Sequence, residues 1–150
     1  MPSTSLLAVT DILFKLLSTA FFGALDLWIG LPAGLALGLS PAVSGISAVT
    51  GAVLGVLLAL RAGEWLREWV YNRRWLVRRR KRIENMWNRY GVIGVALQAP
   101  MLTGAPLATV LALALGAPPR PLLYWMLASV VLWGTVLTGG AALGFEIFGA

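Results

Sequence analysis

The sequence contains neither cysteine nor histidine. Without thiols the chain forms no disulfide bonds, and without both residue types the usual ligands of zinc, copper, haem and iron–sulfur clusters are missing. Nucleophilic catalysis by a Ser-His-Asp triad or a Cys-His pair is excluded for the same reason. We therefore expect no catalytic residue, no metal site and no cofactor, and we do not predict an enzyme.

Charged residues are also scarce. They make up 12% of the 150 residues, against 59% hydrophobic residues, whereas soluble domains carry roughly a quarter charged residues. Uncharged runs of 34, 30 and 25 residues cover 27–60, 90–119 and 121–145. Each run exceeds the ~20 residues that span a bilayer. The composition predicts an all-α polytopic membrane protein, with residues 1–150 forming a single membrane domain.

The chain begins with an apolar stretch, residues 6–25, which predicts a first transmembrane helix. Asp11 and Lys15 lie one turn apart in the favourable order for an ion pair. A self-neutralising pair near the membrane surface is the first interpretation, and a role in proton relay is the alternative.

A broken apolar segment, residues 26–41, completes the first half (1–60) together with a span over 42–60. The segment starts at Asp26, and Pro32 and three glycines spaced four residues apart interrupt it. Its apolar part would be roughly 21 Å long as a helix, too short for a bilayer core of ~30 Å. We therefore predict a re-entrant hairpin that enters the membrane, turns and leaves on the same side. The glycines would also let another backbone approach closely.

Residues 61–89 contain ten of the twelve basic residues, and their apolar residues recur at helical spacing. This pattern predicts a basic amphipathic helix at the membrane surface, and the positive-inside rule places it in the cytoplasm. Topogenic anchoring and contact with anionic lipid headgroups both fit, whereas the aromatic stripe disfavours nucleic acid as a partner. The predicted interface residues are Trp65, Trp69, Arg73, Arg74, Arg78, Arg79, Arg80, Lys81 and Arg82.

The second half, residues 90–150, repeats the order of the first. Prolines and a glycine break residues 90–116, a proline-rich turn follows over 117–121, and residues 121–145 form the last predicted span. Gln98 and Thr103 are the strong hydrogen-bonding side chains near the break, where they would serve backbone carbonyls freed by proline.

A short motif occurs in both halves: Leu-Ala-Leu-Gly at 35–38 recurs at 113–116, displaced by 78 residues. Together with the matching order of elements it predicts an internal repeat, as in many transporters. If residues 90–116 also form a re-entrant hairpin, the halves are inverted copies with facing hairpins and three full transmembrane helices. The alternative is that residues 90–116 cross the membrane completely.

The motifs of both halves resemble the small multidrug export family of prokaryotic membrane proteins. Tyr90-Gly91, and Pro100, Thr103, Gly104 and Ala105, are similar to the second-half signature, and residues 26–32 are similar to the first. Trp28 stands where the family carries an arginine. The family resembles the DedA and SNARE-associated (VTT) superfamily, whose members have two facing re-entrant loops and move lipids. The resemblance implies a transport protein of the prokaryotic inner membrane.

We accordingly expect a transport-like protein, for efflux or lipid translocation, with proton coupling through Asp26 as one option and a backbone cap as the other. The alternative function is a structural subunit of a larger membrane complex. Membrane lipids and either a second copy or another subunit are the expected partners. The predicted polar path comprises Asp26, Pro32, Gln98, Pro100, Thr103 and Gly104.

Overall fold

The computed structural model describes residues 3–71, 91, 94, 104–114 and 117–148, and five helices lie in this part of the chain. In chain order they are α1 (Ser3–Leu25), α2 (Leu27–Ala36), α3 (Pro41–Tyr71), α4 (Ala105–Ala114) and α5 (Pro119–Phe148). These described ranges contain no strand, which confirms the all-α prediction for them.

Three of the helices are long and apolar enough to cross a membrane. The qualifying stretches are Leu7–Leu25 in α1, Pro41–Gly63 in α3 and Pro119–Gly144 in α5. The prediction of a membrane protein with three long apolar helices is confirmed. By contrast, α2 and α4 have ten residues each, so each is roughly 15 Å long and covers about half of a ~30 Å hydrocarbon core.

The long helix α3 lies at the centre of the described fold and contacts the other four helices. Its inner face carries Ala48, Ala52 and Val56, which are buried almost completely. Small side chains suit this position because helix association in lipid depends on close van der Waals packing.

Glycines fix the packing of the first three helices. Gly30 of α2 lies against the backbone of Gly23 in α1, and one turn later Gly34 lies against Thr19. Gly23 also packs on the backbone of Ala48 in α3. From the first of these α1–α2 contacts to the second, the residue number rises in α2 and falls in α1. The two helices are therefore antiparallel. α1 and α2 therefore form the arms of a hairpin with its apex at residue 26.

The short helix α4 runs in the same direction as α3. Near its start, Pro106 lies against Gly55, and near its end, Leu113 lies against Gly63. α4 therefore covers the later half of the apolar stretch of α3, whereas α2 covers the earlier half.

The last helix, α5, is antiparallel to α3. Gly134 packs on Val49, and one turn later Gly45 packs on Thr138. The beginning of α5 therefore lies beside the later part of α3, close to where α4 ends.

The two halves follow the predicted repeat. α2 and α4 cover equivalent residues at a displacement of 78, and Pro41 and Pro119, which begin α3 and α5, are displaced by the same 78 residues. The turns also match: Leu39 N–H donates to the Gly34 carbonyl at 3.0 Å, and Ala117 N–H donates to the Ala112 carbonyl at 2.9 Å. α2 opposes α4 in direction and α3 opposes α5, so helices at equivalent positions in the two halves run in opposite directions.

The segment 26–41 differs in detail from the prediction. α2 is a continuous helix through Pro32, so the chain does not turn at the glycines and proline of residues 30–34. The chain reverses at residue 26 and again at 37–40, where Gly38 has φ +80°. The reason is that Gly30 and Gly34 face packed neighbours and stay helical, whereas Gly38 has no neighbour within 4 Å of a built Cβ and supplies the left-handed turn.

Two boundaries also differ. α3 continues past residue 60 to Tyr71, so the first part of the predicted 61–89 surface helix belongs to the central helix, and residues 72–89 lie outside the described part. α5 begins at Pro119 within the predicted 117–121 turn, since proline is tolerated in the first helical turn, where the N–H has no intrahelical acceptor. Of residues 90–116, the structure describes 91, 94 and 104–114.

Candidate functional site

Asp26 links α1 to α2 and bonds to both. Its N–H donates to the Phe22 carbonyl of α1 at 2.9 Å, and its own carbonyl accepts from Gly30 N–H at 2.9 Å. Its backbone is extended, with φ −156° and ψ 129°, and the carboxylate Oδ1 accepts from the Trp28 N–H at 3.0 Å. Asp26 is therefore the N-cap of α2, and the capping interpretation is confirmed.

Gly104 lies directly beside this cap and begins α4. Its carbonyl accepts from Ala108 N–H at 3.1 Å, and its φ is +76°. A Cβ built here would lie 3.0 Å from the Leu25 carbonyl oxygen and 3.7 Å from the Asp26 Cγ. Both the left-handed backbone and the narrow space favour glycine. The N-termini of α2 and α4 thus meet at one point, which we call the junction.

The junction lies near the middle of the apolar stretch of α3. Gly55 of α3 lies against the Ala24 carbonyl, next to the apex, and against Pro106 Cγ of α4. On the other side, Gly134, which packs on Val49, has Leu27 of α2 within 3.9 Å of a built Cβ. Val49 and Gly55 bracket the centre of the 23 residues from Pro41 to Gly63. The junction is therefore level with the middle of the part of α3 that is long and apolar enough to cross a membrane.

Partial charges at the junction come from three helix ends. The N-termini of α2 and α4 each carry roughly half a positive charge, and the C-terminus of α1 carries roughly half a negative charge. Adding the Asp26 carboxylate leaves about half a negative charge in total. The helix ends thus compensate about half of the charge of the acid, and the remaining charge attracts cations.

Two tryptophans flank the junction. The rings of Trp28, in the first turn of α2, and Trp133 of α5 have their centroids 6.4 Å apart at an interplanar angle of 43°. The Trp28 side chain is 40% exposed. Tryptophans are common at membrane surfaces, so a pair at mid-depth is unusual for a membrane helix.

Ser129 of α5 lies at the same depth. Since Gly134 is opposite Val49 and the helices are antiparallel, Ser129 is level with residue 54, beside Gly55. Its side chain is buried, and its hydroxyl has no hydrogen-bond partner among the described residues. The buried Thr19 and Thr109 hydroxyls instead donate to the carbonyl one turn earlier, at 2.8 and 2.7 Å.

Of the remaining predicted site residues, the structure describes the side chains of two. Pro32 lies inside α2, and Trp65 is exposed on α3. The side chain of Trp69 lies outside the description, as do Gln98, Pro100, Thr103, Arg73, Arg74, Arg78, Arg79, Arg80, Lys81 and Arg82. Within the described residues, no group of His, Cys, Asp and Glu is suited to hold a metal ion.

Sequence reasoning missed Trp133 and Ser129 as site residues. The displacement of 78 residues was the available signal, because it places Ser129 at the position equivalent to Gly51, which packs on the backbone of Ala20 in α1. A serine at an inward position that is glycine in the other half adds a polar group to that helix face.

A family model described as "Putative small multi-drug export protein" matches residues 26–136. The match starts at the junction residue Asp26, extends into α5, and confirms the family resemblance read from the motifs. No curated protein and no solved structure matches the chain.

Proposed function

Since the chain belongs to the small multi-drug export family, we propose that it is a small integral membrane transport protein whose polar step takes place at the junction of Asp26 and Gly104. The observation that carries this proposal is the meeting of two half-length helices, N-terminus to N-terminus, at the middle depth of α3. Transporters commonly place their binding sites at the membrane midplane, between discontinuous helices of inverted repeats.

The α1–α2 hairpin supports a re-entrant arrangement. Asp11 and Lys15 form an ion pair with Nζ and Oδ2 2.8 Å apart. Gly23 is level with Ala48 of α3, so this pair is level with the start of α3, and only the part of α1 after Lys15 lies beside the apolar stretch. In our proposal the hairpin enters from the side where α3 begins, and α4 is the returning arm of a second hairpin from the opposite side.

Efflux and lipid translocation are the two candidate forms of transport. The resemblance places an arginine where this chain has Trp28, and an acid without a basic partner is poorly suited to bind an anionic headgroup. This favours efflux over lipid movement. Proton coupling through Asp26 is part of the proposal because a carboxylate within a membrane is a functional candidate by default.

The test is transport by purified protein in liposomes, with ethidium efflux and the movement of a fluorescent lipid between leaflets measured in parallel under an imposed proton gradient. We expect ethidium efflux, and we expect Asp26→Asn to reduce it at least tenfold. Asn is also a good N-cap, so this change removes the charge and keeps α2. The matched control is Asp11→Asn, which removes an acid remote from the junction. Equal activity of the two variants contradicts the proposal.

A structural subunit of a larger membrane complex is the second candidate. Its supporting observation is the open face of α5, where Gly139, Gly140 and Gly144 have no neighbour within 4 Å of a built Cβ. Gly140 and Gly144 have the spacing of helix–helix contacts in membranes. Purification in mild detergent separates the candidates: a fixed heterologous partner favours the subunit, and a second copy of this chain favours the transporter.

For localisation we propose the inner membrane of a prokaryote, with residues 61–89 in the cytoplasm, where their basic residues contact anionic headgroups. The positive-inside rule supports this placement. A second support is that Arg61 and Arg120 lie at the same end of the molecule, because α3 and α5 pack antiparallel.

A further inference from the structure

The chemistry around the junction indicates which class of molecule it accepts. The Asp26 carboxylate uses Oδ1 to cap α2, and no described residue donates to Oδ2. The described cations lie elsewhere: Lys15 is paired with Asp11, and Arg61 lies six residues beyond Gly55, roughly 9 Å along the axis of α3. Arg120 lies at the start of α5, nine residues before Ser129 and thus roughly 13 Å along that helix. The site therefore presents an acceptor with a net negative character.

The surroundings of the carboxylate are apolar and open to the outside of the molecule. Leu25 and Ile29, on either side of Asp26, are 57% and 54% exposed, and Asp26 itself is partly exposed. A ligand therefore reaches the carboxylate from the apolar phase, past aliphatic side chains. Only a molecule with a substantial apolar body takes that route.

Aromatic faces lie beside this entrance. Trp28 follows Asp26 by two residues, and its half-exposed ring is paired with that of Trp133. Indole is the aromatic ring that binds cations best, and the interaction strengthens when water is absent. A carboxylate and two indoles without a neighbouring described cation suit a positively charged organic group and repel a phosphate.

Ser129 is an independent indication of a ligand. It shares one face of α5 with Met126 and Trp133, at helical spacing, and Trp133 reaches the first turn of α2. Its hydroxyl is buried without a described partner. Buried polar groups are normally hydrogen-bonded, so this hydroxyl lacks a partner that a molecule entering between the helices at this level would supply.

From these four observations we propose that the junction binds lipophilic organic cations, with Asp26 as the counter-ion, Trp28 and Trp133 as the aromatic wall and Ser129 as a hydrogen-bonding group. This inference rests on the proposed transport function and deepens it by naming the substrate class. Inorganic divalent cations are a poor match, because they take six or more oxygen ligands and the described residues hold one carboxylate here.

The experiment measures binding to the purified full chain in detergent, without any transport step. Tetraphenylphosphonium and ethidium are the probes, both monovalent organic cations, of which only ethidium has N–H groups. We expect one molecule of either probe to bind per chain. Asp26→Asn should weaken the binding of both at least tenfold, and Trp28→Leu should weaken both severalfold through loss of the cation–π contact.

Ser129→Ala separates a hydrogen bond from a packing effect. We expect about a fivefold loss in ethidium affinity, the size of one hydrogen bond, with tetraphenylphosphonium binding unchanged. The matched controls are Asp11→Asn and Trp65→Leu, which change the same residue types far from the junction and should bind both probes normally. Circular dichroism of each variant verifies that it is folded. Trp28→Leu leaves Asp26 unchanged, so it tests the site independently of the acid.

The inference is overturned if the wild-type chain binds neither probe, if Asp26→Asn and Asp11→Asn weaken binding equally, or if an anionic oxonol dye binds more tightly than the cations. Binding of cations without efflux from liposomes would remove the proposed transport and leave the binding site. Efflux of another substrate by a chain that does not bind cations would remove the site and leave transport.

Discussion

Gly30 lies where α2 crosses α1, and its missing side chain decides how close the two helices come. A Cβ built there would lie 2.5 Å from the Gly23 Cα, nearer than real atoms approach. The two nearest atoms, the Cα and N of Gly23, are backbone atoms, so they cannot turn aside as a flexible side chain would. The hairpin apex at Asp26 is held in place by this contact.

We expect Gly30→Ala to lower the free energy of unfolding by about 1–3 kcal/mol, the usual cost of overpacking a well-packed interior. The matched control is Gly140→Ala on α5, where a Cβ meets no atom within 4 Å. There the better helix propensity of alanine contributes up to about 1 kcal/mol in favour of folding. Denaturant unfolding in detergent, followed by circular dichroism, measures both. Equal stabilities would contradict the packing described for α1 and α2.

The cap at Asp26 gives one side chain two tasks. Oδ1 accepts from the Trp28 N–H at 3.0 Å, and this orders the first turn of α2. Because one oxygen is enough for capping, the charge is not required for the helix, since asparagine caps about equally well. The charge is then available for a ligand or a proton. This is why Asp26→Asn separates function from folding.

At the scale of helices, α1 and α2 act as one element. Their antiparallel contact places both the start of α1 and the loop at 37–40 at the end of the molecule where α3 begins. A first helix that crossed the membrane completely would instead place its start at the opposite surface. The direction of α1 relative to α2 is therefore the feature to measure.

We expect a cysteine at Leu7 and one at Ser40 to react with a membrane-impermeant maleimide from the same side of the membrane, and one at Pro118 to react from the other side. The native chain has no cysteine, so each single variant gives an unambiguous signal. Leu7, Ser40 and Pro118 are all exposed. Labelling of Leu7→Cys and Pro118→Cys from a common side would exclude the re-entrant hairpin.

Much of this arrangement could be predicted from local patterns. Uncharged runs predicted the long helices, and the Leu-Ala-Leu-Gly motif predicted the repeat. The residues at which the chain reverses direction, 26 and 37–40, could not be predicted in this way. A segment with Gly30, Pro32 and Gly34 is consistent with either a turn or a packed helix, and the contact with Gly23 and Ser44 decides for the helix.

Less of the candidate site than of the fold could be predicted, because its residues come from helices that are far apart in the sequence. Asp26 was evident as an isolated charge and Gly104 as part of a motif. The approach of Trp133 to Trp28 joins residues more than a hundred positions apart, and no local pattern encodes it. The opposite error is also possible, because small residues at helical spacing suggest a packed interface that the described residues do not form. This is the case for Gly139, Gly140 and Gly144.

At the scale of the whole molecule, the two repeats are joined through α3, which packs against both α4 and α5 of the second repeat. Gly134 of α5 packs on Val49 of α3, and a Cβ built at Gly134 lies 3.7 Å from the Val49 Cβ. That separation lies within the range of disulfide-linked Cβ atoms, about 3.5–4.5 Å. The packing of α5 on α3 at this level can therefore be tested by a covalent bond.

We expect the double variant Val49→Cys/Gly134→Cys to form an intramolecular disulfide on mild oxidation, seen as the loss of two hydrogens by intact mass spectrometry. The control pair is Val49→Cys/Gly139→Cys. It is displaced by more than one turn along α5, and a built Cβ at Gly139 has no neighbour within 4 Å. Free thiols in the first pair would count against the packing of α5 on α3.

The contact between Asp26 and Gly104 also governs the order of events during synthesis. When Asp26 leaves the ribosome, the residue that will cover it is still 78 codons away. At a synthesis rate of about 5–20 residues per second, the wait is roughly 4–16 s. During that interval the first hairpin carries its acid without α4, against α1 and the emerging α3. The centre of the molecule is therefore among the last parts to be completed, and a chain stopped before Gly104 leaves its only acid between Lys15 and Arg61 uncovered.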